Sequence, residues 1–336
     1  MRFKKALHSF IKVFLPLILG CLLLWFLYRK MDFHEIWDVI RRGVRYEVIL
    51  FSLLFGLAAN TVRAYRWGLL IETLGSRFRM RNLVYAVWGN YAVNFVLPRV
   101  GEVWRCGIIT KYEKISFPKL FGTLVIDRAS DTLTVGLIVS FIFAFNINFF
   151  KGFIARNPQL MIELPSDGSF LWIILAGLIV CGGVWFTFAH LKHLPLVQKT
   201  RSLLANVWQG VKSVWLMERK WLFLLQTVLI WTLYFLFFYT TFYAFDFTRH
   251  LGVSVGLITF AMSSIAVAVP IQGGIGPWHF MVIATLMSFG VKETDAAAFA
   301  LVVHTVQSVW TALCGLFGII ALSLTNKEKP ALPENA

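Results

Sequence analysis

Charge is scarce in this sequence. Only 15% of its 336 residues are Asp, Glu, Lys or Arg, whereas 58% are hydrophobic and the mean hydropathy is +0.71. A soluble chain of this length needs far more polar surface to cover its cores, so the composition excludes an ordinary water-soluble enzyme or binding module. Acidic residues are scarcer still: 17 Asp and Glu face 32 Lys and Arg, a formal net charge of +15. In a soluble protein that balance would point to nucleic acid. No zinc-finger spacing or RNA-binding aromatic motif accompanies it, and nucleic acid is not expected as a partner. In an apolar chain, basic loops instead follow the positive-inside rule and lie against anionic headgroups. Cysteine is sparse too. Cys21, Cys106, Cys181 and Cys314 are scattered, mostly through apolar stretches, without a CxxC pair. They read as small buried hydrophobes, not as disulfides or metal ligands, and no metal or other cofactor is called for.

What is present in abundance is apolar sequence, in blocks long enough to cross roughly 30 Å of hydrocarbon. The N-terminus carries Arg2, Lys4, Lys5 and Lys12 before an apolar run at 13–28. That run ends in Arg29-Lys30-Met31-Asp32 and not in a small-residue cleavage site, which argues for a retained first span and a cytoplasmic N-terminus. A short amphipathic stretch at 33–46 precedes a span at 48–71, where Arg63 and Arg66 are long enough to snorkel to the interface. Further apolar segments occupy 120–145, 170–190, 221–245 and 296–324, and 195–215 has the periodicity of an interfacial amphipathic helix. Basic residues after the last span place the C-terminus inside as well.

Two segments are broken. The first, 83–110, is interrupted at Pro98-Arg99-Val100-Gly101-Glu102 and is flanked by basic loops on both sides, so it is expected to enter and leave on one face. The second, 252–289, is interrupted at Pro270 and Gln272-Gly273-Gly274-Ile275-Gly276-Pro277. Val48 to Pro98 and Trp221 to Pro270 are each about fifty residues, the trace left by internal repeats in transporters. The expected fold is therefore an all-α polytopic membrane bundle with two re-entrant, Pro/Gly-broken helical hairpins arranged as inverted repeats. It would form a single transmembrane domain over 1–336, with halves at about 47–145 and 221–324. Non-helical backbone at membrane depth is tolerated only within protein or beside a watery cavity, so the breaks imply a polar cavity. Ordinary loops between short spans are the plainer reading of the same prolines and glycines.

Charges gather at the first break. Arg99, Glu102 and Arg105 sit beside it, and Asp127, Arg128 and Asp131 follow in the next helix, the two aspartates sharing one face. Charge at membrane depth is costly enough to suggest function; a salt-bridge cluster fixing the hairpin is the competing account. His304, Gln307 and Ser308 are polar on one face of the last span, where interhelical hydrogen bonding is the usual role.

The motifs Arg63-x-x-Arg66-Trp67, Asn94-x-x-x-Pro98-Arg99-x-Gly101-Glu102-x-x-Arg105, Asp127-Arg128-x-x-Asp131 and Gly273-Gly274-x-Gly276 resemble the membrane domain of the lysylphosphatidylglycerol synthase family, also called flippase-like membrane proteins. Two departures stand out. Asp127 replaces the usual Glu, and Trp278-His279 follow the glycine cluster where an acidic residue is frequent. His279 could carry a proton in its place. The resemblance implies transbilayer movement of an anionic lipid or a polyprenyl-phosphate-type lipid-linked precursor in a bacterial inner (plasma) membrane. The family's aminoacyl transfer belongs to a separate soluble domain, so the resemblance implies a non-enzyme. In this reading Arg99 and Arg105, helped by Arg63, Arg66 and Arg128, bind phosphate, because a guanidinium offers forked hydrogen bonds. Glu102 and Asp131 orient them or titrate, Asn94 and Asp127 join them as substrate-binding candidates, and Gly273, Gly274 and Gly276 let the second hairpin approach the headgroup. The rivals are a membrane-embedded transferase acting on a lipid-linked substrate, with Asp127 and Asp131 supplying a metal or base, and a non-transporting partner of a lipid-modifying enzyme.

Overall fold

The computed structural model describes residues 18, 20–29, 31–97, 99–156, 217–267 and 271–326. Pro98, Pro270, the span expected at 170–190, the amphipathic helix expected at about 195–215 and the basic tail lie outside these residues. Within them the regular structure is helical, and the extended pairing consists of an isolated antiparallel bridge between Val44 and Phe245. The described helices are α1 (Phe33–Arg42), α2 (Tyr46–Glu72), α3 (Met80–Val96), α4 (Val100–Glu113), α5 (Phe117–Phe145), α6 (Ile147–Arg156), α7 (Lys220–Tyr239), α8 (Val253–Val267), α9 (Pro277–Ser288) and α10 (Glu293–Thr325). Residues 20–28 are helical as well. Two compact units divide the chain, one made of 1–142 with 218–336 and the other of 143–217. In the second unit, α6 packs Phe149 and Phe150 on Phe143 and Phe153 through ring contacts.

Among the described residues, α2, α5, α7 with its 3-10 extension to Ala244, and α10 are long and apolar enough to cross a membrane. Their outward faces are bare hydrocarbon. Leu133, Leu137 and Phe141 on α5 repeat every four residues, are each more than 60% exposed, and make a lipid-facing stripe. The other helices of the first unit are shorter. At 1.5 Å per residue, α3 and α4 reach only roughly 26 and 21 Å, and α8 and α9 roughly 23 and 18 Å.

These short helices pair within their own halves, α3 with α4 and α8 with α9, while α10 lies along α3 and α7 along α2. The chain ends of the helices fix their sense. Arg79 and Asn82 at the start of α3 bond Glu113 at the end of α4, and Asn82 also bonds Asn326 after α10. Arg219 before α7 meets Glu72 at the end of α2. At the opposite end, Arg45 before α2 bonds Ala244 and Asp246 after α7, and Tyr28 donates to the Ala297 carbonyl in the first turns of α10.

The first break closes locally. Arg99 has φ 64°, in the left-handed region, and reverses the chain between α3 and α4. Asn94 accepts a hydrogen bond from the Gly101 amide (2.8 Å), satisfying one of the free N–H groups of the first turn of α4. Gly101 itself lies on the Asn90 backbone, and a Cβ there would collide with the Asn90 carbonyl. Small residues also bring α10 onto α3: a Cβ on Gly315 would lie 2.6 Å from that of Ala92.

Gly101→Ala is expected to lower stability by about 1–3 kcal/mol through this overlap. Gly107→Ala, on the same helix but with open space beyond its Cα, should raise it by up to about 1 kcal/mol, because alanine is the better helix former. Thermal unfolding in detergent measures both, and equal stabilities would contradict the packing of α4 on α3.

Candidate functional site

Four helices converge on a set of charges that never reaches water. Asp127 lies eleven residues into α5, which buries it completely. Its Oδ1 accepts from Arg66 Nη2 (2.6 Å) and Nε (3.1 Å), and its Oδ2 from Arg105 Nη2 (2.9 Å). One turn later, Asp131 takes Arg66 Nη2 at 2.7 Å and pairs closely with Arg63. The i, i+4 spacing stacks the two aspartates on one face of α5, and the i, i+3 spacing of Arg63 and Arg66 does the same on α2. Other donors are held as well, although Arg105 Nε and Nη1 are buried without a hydrogen-bond partner among the described residues. Arg66 Nη1 reaches Thr227 on α7 (3.2 Å), and Arg63 Nε reaches the Tyr234 hydroxyl (3.3 Å). Tyr234 in turn donates to Asn60 (2.6 Å) and meets the Tyr91 hydroxyl at 3.1 Å. Trp67 donates to Thr123 and lays its ring 4.5 Å from the Arg105 guanidinium.

At the edge of this network Arg128 lies 3.0 Å from Glu102 and 3.6 Å from Asp131. Both Arg128 and Glu102 are about one-third exposed, so the outer pair remains accessible where the inner one is sealed. Arg63, Arg66, Arg105 and Arg128 against Glu102, Asp127 and Asp131 leave one positive charge in excess. Arg63 and Arg66 therefore do not snorkel to the interface: they turn inward because two buried carboxylates on α5 offer them what headgroup water would otherwise supply.

A separate cavity of about 340 Å³ lies between the two broken pairs. Tyr91, Asn94 and Phe95 line it from α3, Phe237 from α7, Val267 and Gly273 from the second break, and Trp278, His304, Gln307, Ser308 and Thr311 from α9 and α10. Tyr91 joins this cavity to the ion-pair network through Tyr234.

The sequence-derived candidates fall into three groups. Asn94 and Gly273 line the cavity. Arg63, Arg66, Arg105, Asp127 and Asp131 form the sealed network, with Arg128 and Glu102 at its edge, while Arg99 is exposed at the turn. Gly274, Gly276 and His279 are buried behind the second break. All three glycines have positive φ, which only glycine adopts readily. What approaches Gly276, however, is Leu23 of the first helix. His279 packs 4.5 Å from His304 between ring centroids, and His304 meets the Gly273 carbonyl at 2.9 Å. Tyr91, Thr227 and Tyr234 were not anticipated. A tyrosine or threonine in an aromatic span carries no periodic signal that separates it from packing.

Among the described residues, no group of three or more His, Cys, Asp or Glu side chains is placed to hold a metal ion. Asp127 and Asp131 spend their oxygens on arginines, which disfavours the transferase reading that would give them a metal.

The fold and this network define a multi-pass helical membrane protein with a buried charged core. The chain belongs to the lysylphosphatidylglycerol synthase TM region family, whose description matches residues 13–315. It is also similar to a UPF0104 membrane protein of Methanocaldococcus jannaschii, 20% identical over 310 residues, covering 84% of this chain and 86% of that one.

Removing one partner of a buried pair strands the others. Asp127→Asn should cost about 3–5 kcal/mol, because Arg66 and Arg105 lose their counter-charge inside the bundle. Arg128→Gln should cost less, about 1 kcal/mol, since Arg128 and Glu102 are each about one-third exposed. Unfolding midpoints in detergent check the ranking; a reversed order would place the charge balance at Arg128 instead.

Proposed function

We propose that this protein moves an anionic lipid, or a lipid-linked precursor with an anionic head, across the bilayer. The observation that carries the reading is the uncharged cavity between the two broken helix pairs, where amide, hydroxyl and imidazole groups meet a larger aromatic and aliphatic surface, inside a bundle whose outer faces are hydrocarbon. Polar groups gathered around open space inside a membrane bundle are costly to leave unsatisfied, and a substrate headgroup would satisfy them. Acyl or prenyl chains would stay in lipid beside the apolar faces.

The opposed ends of the two pairs support re-entrant hairpins of inverted topology. The α3–α4 pair opens at the end that gathers Glu72, Arg79, Glu113, Arg219 and Asn326, and α7 crosses to the other end before α8 begins. Exposed Arg77, Arg81, Lys111, Lys114 and Lys119 crowd the first end, which supports a cytoplasmic face there and a bacterial inner membrane as the setting. The end of α10 lies on that face too, and the basic residues before the first span support the same side for the N-terminus.

In this mechanism Arg99 and Arg128 are the cations free to meet phosphate, with Glu102 steering Arg128. Arg63, Arg66, Arg105, Asp127 and Asp131 hold α2, α4, α5 and α7 in register. They form a rigid wall, the α4 arm of the first pair included, against which the second pair moves. Rigid-body rocking of a broken pair around a fixed site is the known way that such repeats alternate access.

The test is movement of labelled anionic lipids in proteoliposomes. Wild type should move them, and Arg99→Ala and Glu102→Ala should lose most of that movement while remaining folded. Arg99→Gly sharpens the test: it removes left-handed strain and should stabilise the fold by about 1 kcal/mol, yet it should move lipid no better than Arg99→Ala. Undiminished movement in all three would remove the first break from the mechanism. No movement by wild type of any anionic phospholipid or polyprenyl phosphate would favour a partner of a lipid-modifying enzyme.

A further inference from the structure

The cavity has a chemical character that the motif arginines conceal. Among the described residues lining it there is no guanidinium, ammonium or carboxylate. Its polar groups are amide, hydroxyl and imidazole, and the larger part of its surface is aromatic ring with Val267. A phosphate drawn into it would lose its water without gaining a counter-charge, which is strongly unfavourable. The network arginines do not line it: Arg63, Arg66 and Arg105 are buried in ion pairs with Asp127 and Asp131.

The polar groups of the lining keep bonding capacity to spare. Gln307 gives one N–H to the Phe237 carbonyl (2.8 Å), leaving its other N–H and its carbonyl oxygen. His304 uses Nε2 on the Gly273 carbonyl, which leaves Nδ1 as an acceptor in the neutral ring. Asn94 accepts from Gly101 and reaches Asn90 with its amide, so one N–H remains. Thr311 donates to the Gln307 carbonyl and can still accept, and Ser308 has no bonded partner among the described residues. Gln307, Ser308 and Thr311 follow His304 along one side of α10, so these groups form a column opposite Tyr91 and Asn94 of α3. Trp278, Phe237 and Tyr91 complete the wall with ring surface.

From this lining we infer that the cavity binds a sugar unit of the transported lipid, a neutral, hydroxyl-rich headgroup portion, and that the phosphate stays outside the cavity with Arg99 and Arg128. Closely spaced neutral donors and acceptors match hydroxyls, which both give and take hydrogen bonds. Aromatic rings beside them cover the C–H faces of a pyranose. The volume suits a small ligand of this kind, pockets for which begin at roughly 300 Å³. The inference rests on the transport reading for its biological role, but binding itself can be measured without transport.

The test is equilibrium binding to the full chain in lipid nanodiscs, free of sugar-based detergent. The probes are a polyprenyl phosphate carrying one hexose, bare polyprenyl phosphate, and phosphatidylglycerol. Wild type should bind the hexose lipid at least about tenfold more tightly than bare polyprenyl phosphate, because a site built for hydroxyls penalises an analogue lacking them. Ser308→Ala, which breaks no internal bond, should weaken the hexose lipid roughly three- to tenfold and leave the bare lipid unchanged. Gln307→Leu should do the same and more, with its thermal unfolding measured alongside because it also frees the Phe237 carbonyl. Equal affinity for the hexose and bare lipids would overturn the inference while leaving transport of anionic lipids intact. Tightest binding of phosphatidylglycerol would assign the cavity to a glycerol head and overturn the sugar assignment. Selective hexose binding without movement in proteoliposomes would uphold the inference and count against the transport reading.

Discussion

The ion pairs of Asp127 and Asp131 are the interaction on which the rest of this bundle depends. Two carboxylates placed mid-helix in α5, with no water to solvate them, are tolerable only if cations are delivered to them in fixed geometry. Arg63 and Arg66 come from α2 and Arg105 from α4, while Thr227 and Tyr234 on α7 take up spare guanidinium donors. Four helices are thereby tied at one depth. In hydrocarbon, where apolar surface gains little by leaving lipid for protein, such directional bonds decide which helices pack together. The excess of one arginine over the carboxylates is partly met by the Trp67 ring against Arg105.

Given that anchor, the breaks acquire a purpose. α3 and α4 stop short of the bilayer's thickness, and the turn between them is held by Asn94 on the Gly101 amide and by the bare face of Gly101 on Asn90. The second break uses left-handed glycines and is bound to α10 by His304 on the Gly273 carbonyl. Between the two lies a cavity whose neutral polar lining contrasts with the charged network beside it, and Tyr91 belongs to both. A charged wall that holds the helices thus stands next to an uncharged pocket.

Several features follow from sequence directly, for reasons that are local. Hydrophobic blocks become α2, α5, α7 and α10 because only a helix satisfies its own backbone in lipid. The breaks at 98–102 and 270–277 were visible because proline and glycine act on their own backbone, whatever surrounds them. Asn94, Gly101 and the 273–276 glycines were legible for the same reason, and so was the family, whose motifs include all of them. The inward turn of Arg63 and Arg66, which the motifs already offered as candidates, was not. Their neighbours in sequence suggested the interface, and only the arrival of Asp127 and Asp131 from another helix turned them inward.

By itself, then, the sequence determined that this is a helical membrane protein, where its long apolar spans at 46–72, 117–145, 220–244 and 293–325 lie to within a few residues, and where charge is concentrated. Composition and periodicity respond to the solvent, and a bilayer is a demanding one. The tertiary structure alone decided which charges cancel, which remain accessible, and which neutral groups meet around an open space. Those outcomes depend on residues more than sixty positions apart, such as Arg66 with Asp127 and Tyr91 with Tyr234, and no local rule encodes their meeting.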